Sequence, residues 1–175
     1  MATLLFIAAS VIVAAGFTYA FLEKRPGYGI YYGIGKLTGS PLDIGPVDWA
    51  SLTRHATDND ALVAPPARCP NAKPDRPAKI YALPPAELLR RLETIALAQV
   101  DTIELPCEPH CDRTRRFVQY SRLMRFPDTI DVEVFPEGDS RSTLAIYSRS
   151  LVGRRDFGVN HARVARWLSH LDKAF

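Results

Sequence analysis

The sequence predicts an α+β domain in which an antiparallel sheet of about four to five strands packs against two helices, preceded by one N-terminal transmembrane helix. Three observations lead to this prediction. The chain opens with a long uncharged run, two later segments carry apolar residues at helical spacing, and the segments between them alternate apolar with polar residues. Short turns separate the alternating segments, and such connections make neighbouring strands antiparallel.

The uncharged run at residues 2–22 is the first element. As a helix, its 21 residues span about 30 Å, the thickness of the hydrocarbon core of a bilayer. No basic residue precedes the run, in contrast to a signal peptide, so we expect an uncleaved membrane helix. Lys24 and Arg25 follow it, and the positive-inside rule applied to them alone places the domain in the cytoplasm.

A juxtamembrane segment and a connector follow the membrane helix. The juxtamembrane part is rich in Gly and Tyr, and tyrosines suit a membrane interface, where an apolar ring and a hydrated hydroxyl are both satisfied. Prolines then cluster between Pro65 and Pro77, which is typical of a connector. We therefore divide the chain into a membrane helix at 1–22, a connecting region at 23–77 and an α+β domain at 78–175.

The α+β domain is expected to begin with a short strand at 79–82. A helix starts at Pro84 and Pro85, because proline is tolerated in the first helical turn. The spacing of five residues places them on one side of this helix: Leu88, Leu92, Ile95, Ala96 and Gln99. Four further strands are predicted, at 102–105, 116–124, 129–135 and 142–148. The last helix, about 161–173, has an apolar stripe that needs a sheet to cover it, formed by Val164, Trp167, Leu168 and Leu171.

The charge of the chain is modest and unevenly distributed. The net charge is +3, and from residue 113 onward there are 12 Lys and Arg against 7 Asp and Glu. This C-terminal surplus is compatible with an anionic partner, but it is too small to indicate nucleic acid.

The three cysteines allow two interpretations. A zinc site would combine Cys69, Cys107, His110 and Cys111, but a Cys-x3-Cys loop interrupted by proline is not a common zinc knuckle, and the fourth ligand is distant in sequence. A disulfide is expected if the domain lies outside the cytoplasm, either between Cys107 and Cys111 or from Cys69 to one of them. We therefore expect no metal and no cofactor, and the disulfide pairing stays open.

The segment at residues 148–160 holds the densest set of polar groups. A hydrolase would combine Ser148 or Ser150 with His161 and Asp156, but neither a nucleophile elbow nor an evident oxyanion loop is present in the sequence. We therefore expect no catalytic residues and no enzymatic activity.

Two other roles are open to this segment. One is contact with an anion or a partner, because hydroxyls and arginines surround a turn that leads into a helix N-terminus, where backbone N–H groups favour negative charge. The residues for that role are Ser148, Arg149, Ser150, Arg154 and Arg155. The structural role, which we favour, assigns Gly153 and Gly158 to the turn, Asn160 to the helix cap, and Asp156 to an arginine or to backbone amides.

Two motifs carry a resemblance to a known family. The first is Phe126-Pro127-Asp128 before a strand, and the second is Ser148-x-Ser150-x-Val152-Gly153-x-x-Asp156-x-Gly158-x-Asn160 before a helix that ends with Trp167-Leu168. Together with Cys69-Pro70-Asn71, they resemble the domain family of unknown function numbered 1499, from about residue 61 to the C-terminus. Leu151 and Ala72 depart from the usual family residues, an arginine and a cysteine, so no role of that arginine and no disulfide at Ala72 carries over.

The resemblance implies no activity, because the family has none established. Its bacterial members often look membrane-anchored or exported, which implies a periplasmic domain. We therefore expect a non-enzymatic, single-span accessory protein of a bacterial inner membrane that contacts membrane lipid, docks on a larger membrane protein complex, and stabilises or helps assemble it. The alternative is a membrane-anchored domain that binds lipid or a small anionic amphiphile.

Overall fold

The computed structural model describes residues 43–54, 57–107, 111–122, 126–151 and 155–173. The membrane helix predicted at residues 2–22 and the Tyr/Gly-rich part of the juxtamembrane segment lie outside these ranges. Within them, no helix combines the length and hydropathy required to cross a bilayer.

An antiparallel sheet forms the centre of the domain. Its six strands in the described part of the chain run in the order β1-β6-β5-β4-β3, and β2 also pairs with β6. The strands are β1 (Asp60–Val63), β2 (Ile80–Tyr81), β3 (Thr102–Leu105), β4 (Thr114–Tyr120), β5 (Pro127–Pro136) and β6 (Ser142–Ser150). The long strands β5 and β6 occupy the middle, where every residue from Asp128 to Pro136 has a partner on β6.

Two helices pack on one face of this sheet. Helix α1 (Pro85–Leu97) begins with proline in its first turn, as expected, and helix α2 (Val159–Lys173) follows β6. Their apolar sides meet strand residues that point to the same face, and at the centre Phe117 contacts Trp167 edge-on, with ring centroids 5.7 Å apart. The prediction of an α+β domain with an antiparallel sheet and two helices is confirmed.

The sheet extends beyond the strands predicted from the sequence. Strand β1 lies in the region at 23–77 that we assigned to a connector, and it pairs with β6 from Asp60 opposite Arg149 to Val63 opposite Ile146. All four residues of β1 are buried, so the strand lacks the apolar–polar alternation by which half-exposed strands are recognised. The sheet therefore has five to six strands instead of four to five, and it begins before residue 78.

The connecting region also covers the second face of the sheet. Trp49 and Leu52 pack there with Cys69 and Tyr147 in a separate apolar cluster. Polar contacts add to it, because Arg116 pairs with Asp43 at 2.7 Å. Residues 43–54 are thus part of the folded domain, although their composition alone predicted a segment beside the membrane.

Candidate functional site

The candidate site is a buried polar cluster where β6 joins α2. We call it the junction cluster, and it consists of Ser148, Ser150, Asp156, Asn160 and Arg163. Strand β6 supplies the two serines. Because they are two residues apart on the strand, they point to the same face of the sheet, and both contact Asn160 of α2 there. Helix α2 supplies Asn160 and Arg163 from its first turns. The cluster therefore ties the last strand to the last helix.

Asn160 is the hub of the junction cluster. Its Oδ1 accepts hydrogen bonds from Ser148 Oγ and from Arg163 Nη1, both at 2.5 Å. Its Nδ2 donates to the carbonyl oxygen of Asn59 at 3.0 Å, to Ser150 Oγ at 3.0 Å and to Asp156 Oδ2 at 2.7 Å. The amide is fully buried, so these bonds replace the water it would otherwise bind.

Arg163 is a buried cation with partners on three strands. Its Nη2 lies 2.6 Å from Asp128 Oδ2 on β5, its Nε donates to Gln119 Oε1 on β4 at 2.6 Å, and its Nη1 donates to Ser148 Oγ on β6 at 2.8 Å. The sequence analysis missed Arg163. The spacing could have indicated it. Arg163 lies three residues after Asn160 and four before Trp167, which places it on the side of α2 that faces the sheet.

Asp156 closes the turn before α2. Its Oδ1 accepts the backbone N–H of Gly158 and its Oδ2 that of Asn160, both at 2.8 Å. This is the backbone-amide alternative considered for Asp156, and Gly158 takes the positive φ of +80° that the turn needs. Asn160 does not cap the helix, because it already lies within α2, where its side chain points into the junction cluster.

Of the five residues considered for anion contact, the structure describes four, and these four do not converge on one site. Ser148 and Ser150 bond Asn160, whereas Arg149 lies on the opposite face and donates to the carbonyl oxygen of Gly45 at 2.9 Å. Arg155 is exposed and forms a backbone bridge with Asp58. Arg154 and Gly153 lie outside the described residues.

The residues considered for a hydrolase are likewise apart. Ser148 is fully buried and bonded to Asn160 and Arg163, and its hydroxyl has no path to a substrate. His161 points away from the cluster, with its Nε2 3.3 Å from Asp75 Oδ2. Asp156 binds backbone amides. These residues therefore do not form a catalytic triad, in which each member contacts the next.

The cysteines lie in three different environments. Cys69 is buried against the second face of the sheet, and burial raises the pKa of its thiol. Cys107 Sγ lies 2.7 Å from Thr114 Oγ1, and Cys111 is exposed. No disulfide links the three within the described structure, and among the described residues no three His, Cys, Asp or Glu side chains form a metal-binding group. His110 lies outside that part of the chain.

A row of charged side chains crosses the second face of the sheet. Asp131 lies between Arg116, at 2.9 Å, and Arg149, at 3.4 Å, and burial raises the pKa of this carboxyl. Further along the face, Asp60 accepts a 2.6 Å hydrogen bond from Tyr147 and pairs with Arg54 at 2.5 Å. Burial, followed by the contact with Asp60, raises the pKa of Tyr147, so its hydroxyl stays a donor. These pairs fasten the covering segments to the sheet.

A family model described as "Protein of unknown function (DUF1499)" matches residues 52–171. The chain belongs to the DUF1499 family. The match begins ahead of β1, earlier than residue 61, and ends within α2, so the DUF1499 region contains the whole sheet, helix α1, most of α2 and the junction cluster. A comparison with curated proteins gave no match.

One end of the DUF1499 domain exposes several large apolar side chains. At this end β4 finishes, β5 begins and β6 leads into α2, as shown by the pairs Tyr120–Pro127 and Asp128–Ser150. Five of the seven large apolar residues exposed in the described ranges flank the segments that meet here, since β3 also begins at this end with Thr102 opposite Gln119. We call them the apolar end, formed by Leu97, Val100, Phe126, Phe157 and Val159.

Phe157 is the extreme member of the apolar end. Its side chain is 96% exposed, and its backbone takes the left-handed conformation with a φ of +55°. It stands between Asp156 and Gly158, whose hydrogen bond to each other fixes the turn. Neither its exposure nor its backbone conformation was predictable from composition.

Proposed function

We propose that this DUF1499 protein is a non-enzymatic, single-span accessory protein of a bacterial inner membrane that docks on a larger membrane protein complex and stabilises or helps assemble it. The observation that carries the proposal is Phe157, a nearly fully exposed aromatic side chain on a left-handed backbone. The domain would be periplasmic, as the family resemblance implies.

Neither feature of Phe157 favours folding. An L-residue other than glycine, asparagine or aspartate in the left-handed region costs about 1–2 kcal/mol. An exposed phenyl ring gains nothing from the hydrophobic effect in the isolated domain. Asparagine or glycine would avoid the backbone cost at this position. Strain combined with exposure therefore supports a role for the ring outside the fold, in contact with a partner.

The junction cluster presents Phe157 on a hydrogen-bonded turn. Asp156 binds the backbone on both sides of the helix start, and Asn160 joins Asp156 to the buried network. A side chain on an ordered turn loses little conformational freedom on binding, which favours affinity. Aromatic residues and arginine are enriched in protein interfaces, and the exposed Arg155 lies two residues before the ring. The partner surface we expect is an apolar pocket beside carboxylates.

The polar residues of the junction cluster support the non-enzymatic part of the proposal. A catalytic group must reach its substrate, but Ser148, Asn160 and Arg163 are buried and use their polar atoms within the cluster. Their arrangement serves to hold a strand, a turn and a helix together.

The sequence supports the membrane part of the proposal. Twenty residues separate the charge-free run at 2–22 from Asp43, where the described domain starts. Fully extended, twenty residues reach about 70 Å at most. If the run spans a bilayer, the domain stays within that distance of the membrane, where a membrane complex is accessible.

Native gels of membranes solubilised in mild detergent test the docking. We expect the wild-type protein to migrate with a larger complex and the Phe157→Asn variant to migrate at lower mass at equal expression. The matched control is Ile80→Thr, which removes an exposed apolar side chain on β2, away from the apolar end, and should leave the complex intact. Migration of the wild type as a monomer, or an unchanged complex with Phe157→Asn, refutes the proposal.

A further inference from the structure

A cavity of about 280 Å³ lies between the edge of the sheet and the C-terminal half of α2. It is distinct from the junction cluster and from the apolar end. Its apolar walls are formed by Val63 on β1, Leu144 on β6 and Leu168 on α2, all three of which are buried. Arg76, Lys79 and Asp172 line it as well and are charged.

The topology of the sheet creates this cavity. Strands β1 and β2 both pair with β6, β1 with residues 146–149 and β2 with residues 142–143. Leu144 lies between the two pairings, where no strand covers the edge of β6. The chain returns from β1 beside that edge, because Asp75 N–H donates to the carbonyl oxygen of Leu62 and Ala78 N–H to that of Ala64. The loop at residues 75–78 and helix α2 thereby enclose a cavity whose inner surface is apolar.

An ion pair spans the charged side of the cavity. Lys79 Nζ lies 2.5 Å from Asp172 Oδ2, and the two side chains are 64% and 36% exposed. Exposed pairs of this kind contribute at most about 1 kcal/mol, so a competing anion can replace Asp172 at little cost. Tyr81 also lines the cavity, and burial, with Asp172 nearby, raises the pKa of its hydroxyl to about 12. The hydroxyl therefore stays protonated, and it donates a hydrogen bond to Asp172 Oδ1 at 3.4 Å.

We propose that this cavity binds a small anionic amphiphile, a medium-chain carboxylate. The hydrocarbon chain would lie against Val63, Leu144 and Leu168, and the carboxylate would take the place of Asp172 at Lys79. The volume of about 280 Å³ lies just below the range of ligand sites, about 300–1,000 Å³, so the cavity admits one short chain and excludes a two-chain lipid. This site is independent of the docking through Phe157.

Calorimetric titration of sodium octanoate into the full chain in lipid nanodiscs tests the site, with empty nanodiscs as the blank. We expect saturable binding of one octanoate per chain. Ala78→Phe, which places a ring in the cavity, should abolish binding. Lys79→Gln should weaken it about tenfold, the loss expected for one charge-assisted hydrogen bond. Asp172→Asn should tighten it, because Lys79 then has no competing carboxylate.

The matched control is Lys73→Gln, an exposed lysine that does not line this cavity, and it should bind octanoate like the wild type. Far-ultraviolet circular dichroism checks that each variant folds, and the two charge variants decide the test if Ala78→Phe does not. Absence of saturable binding to the wild type, equal weakening by Lys73→Gln and Lys79→Gln, or weaker binding by Asp172→Asn overturns the proposal. None of these results changes the native-gel test of docking.

Discussion

Asn160 shows how one residue can organise the end of this domain. Its amide contacts the carbonyl group before β1, both serines of β6, the turn carboxylate and Arg163. A buried amide with this many partners cannot be replaced by a hydrophobic residue without leaving other buried groups unpaired.

We predict that Asn160→Ala lowers the free energy of unfolding by about 2–4 kcal/mol, because several buried groups lose a hydrogen bond at once. Urea unfolding of the full chain in nanodiscs, followed by the fluorescence of Trp49 and Trp167, measures the change. Ser150→Ala is the control, since Ser150 Oγ accepts one bond from Asn160, and it should cost about 1 kcal/mol or less. Equal losses in both variants would show that Asn160 is not the hub.

Phe157→Asn should have the opposite effect on stability. Asparagine tolerates the left-handed region better than phenylalanine, so the free energy of unfolding should stay equal or rise by up to about 1 kcal/mol. Val159→Asn, at a helical position that is 49% exposed, should give no gain because valine and asparagine have similar helix propensities. A loss of more than about 1 kcal/mol with Phe157→Asn would mean that the ring stabilises the fold.

Asp75 should make the free energy of unfolding depend on pH in the acid range. Burial alone would raise its pKa, but hydrogen bonds from Arg54 and from the Leu62 N–H, with the charges of Arg54 and His161, outweigh burial and lower it. A carboxyl with a lowered pKa stabilises the fold above its ordinary pKa of about 3.9 and loses that contribution as the pH falls toward the lowered value. Asp75→Asn should therefore be less stable than the wild type at pH 6, with a difference that shrinks below about pH 4. A difference that is constant from pH 6 to pH 2 contradicts this account.

The polar residues of the turn were recognisable from sequence, but their partners were not. Alternation along a strand puts Arg149 on the face opposite Ser148 and Ser150, and this rule alone predicts that the three cannot share one anion. Local spacing does not show that Asn160 reaches Asn59, 101 residues away in sequence. Long-range contacts of this kind depend on strand order, which the sequence did not determine.

At the scale of elements, α2 combines two kinds of contact with the sheet. Its first turns bring the polar junction cluster, and its later turns bring an apolar stripe whose largest member is Trp167. The indole is fully buried, and among the described residues its Nε1 has no hydrogen-bond partner. Packing, including the edge-on contact with Phe117, is therefore its contribution.

We predict that Trp167→Ala costs about 3–5 kcal/mol, whereas Trp167→Phe costs at most about 2 kcal/mol, because the second variant keeps an aromatic ring in the core and breaks no hydrogen bond. Thermal unfolding followed by circular dichroism measures both. If Trp167→Phe were as destabilising as Trp167→Ala, the indole N–H would have to have a partner.

The strength of the sequence signal differed from one element to another. Both helices showed helical periodicity and strands β4 and β5 showed alternation, and the structure places these elements, together with β3 and β6, within a few residues of their predicted bounds. Strand β1 was missed because both of its faces are covered, which removes the alternation. The segment at 43–54 was missed because Trp49 and Leu52 have no periodic neighbours, so only the assembled sheet reveals their binding surface.

At the scale of the whole molecule, both faces of the sheet are covered, and most of the large exposed apolar side chains in the described ranges lie at one end of the domain. The helices cover one face of the sheet and the connecting region covers the other, so the apolar end is where large apolar side chains concentrate among the described residues. The proposed carboxylate cavity lies elsewhere, beside β2 and the C-terminal half of α2. Docking and ligand binding would therefore use different surfaces and can be tested separately.

Photocrosslinking in living cells is the sharpest test of docking through Phe157. A benzophenone amino acid replaces Phe157 in one version of the full chain and Ile80, an exposed residue away from the apolar end, in another. We predict a discrete adduct with a membrane protein from position 157 and none of that mass from position 80. Adducts with lipid alone, no adduct at position 157, or the same adducts from both positions would contradict docking of the apolar end on a membrane protein complex.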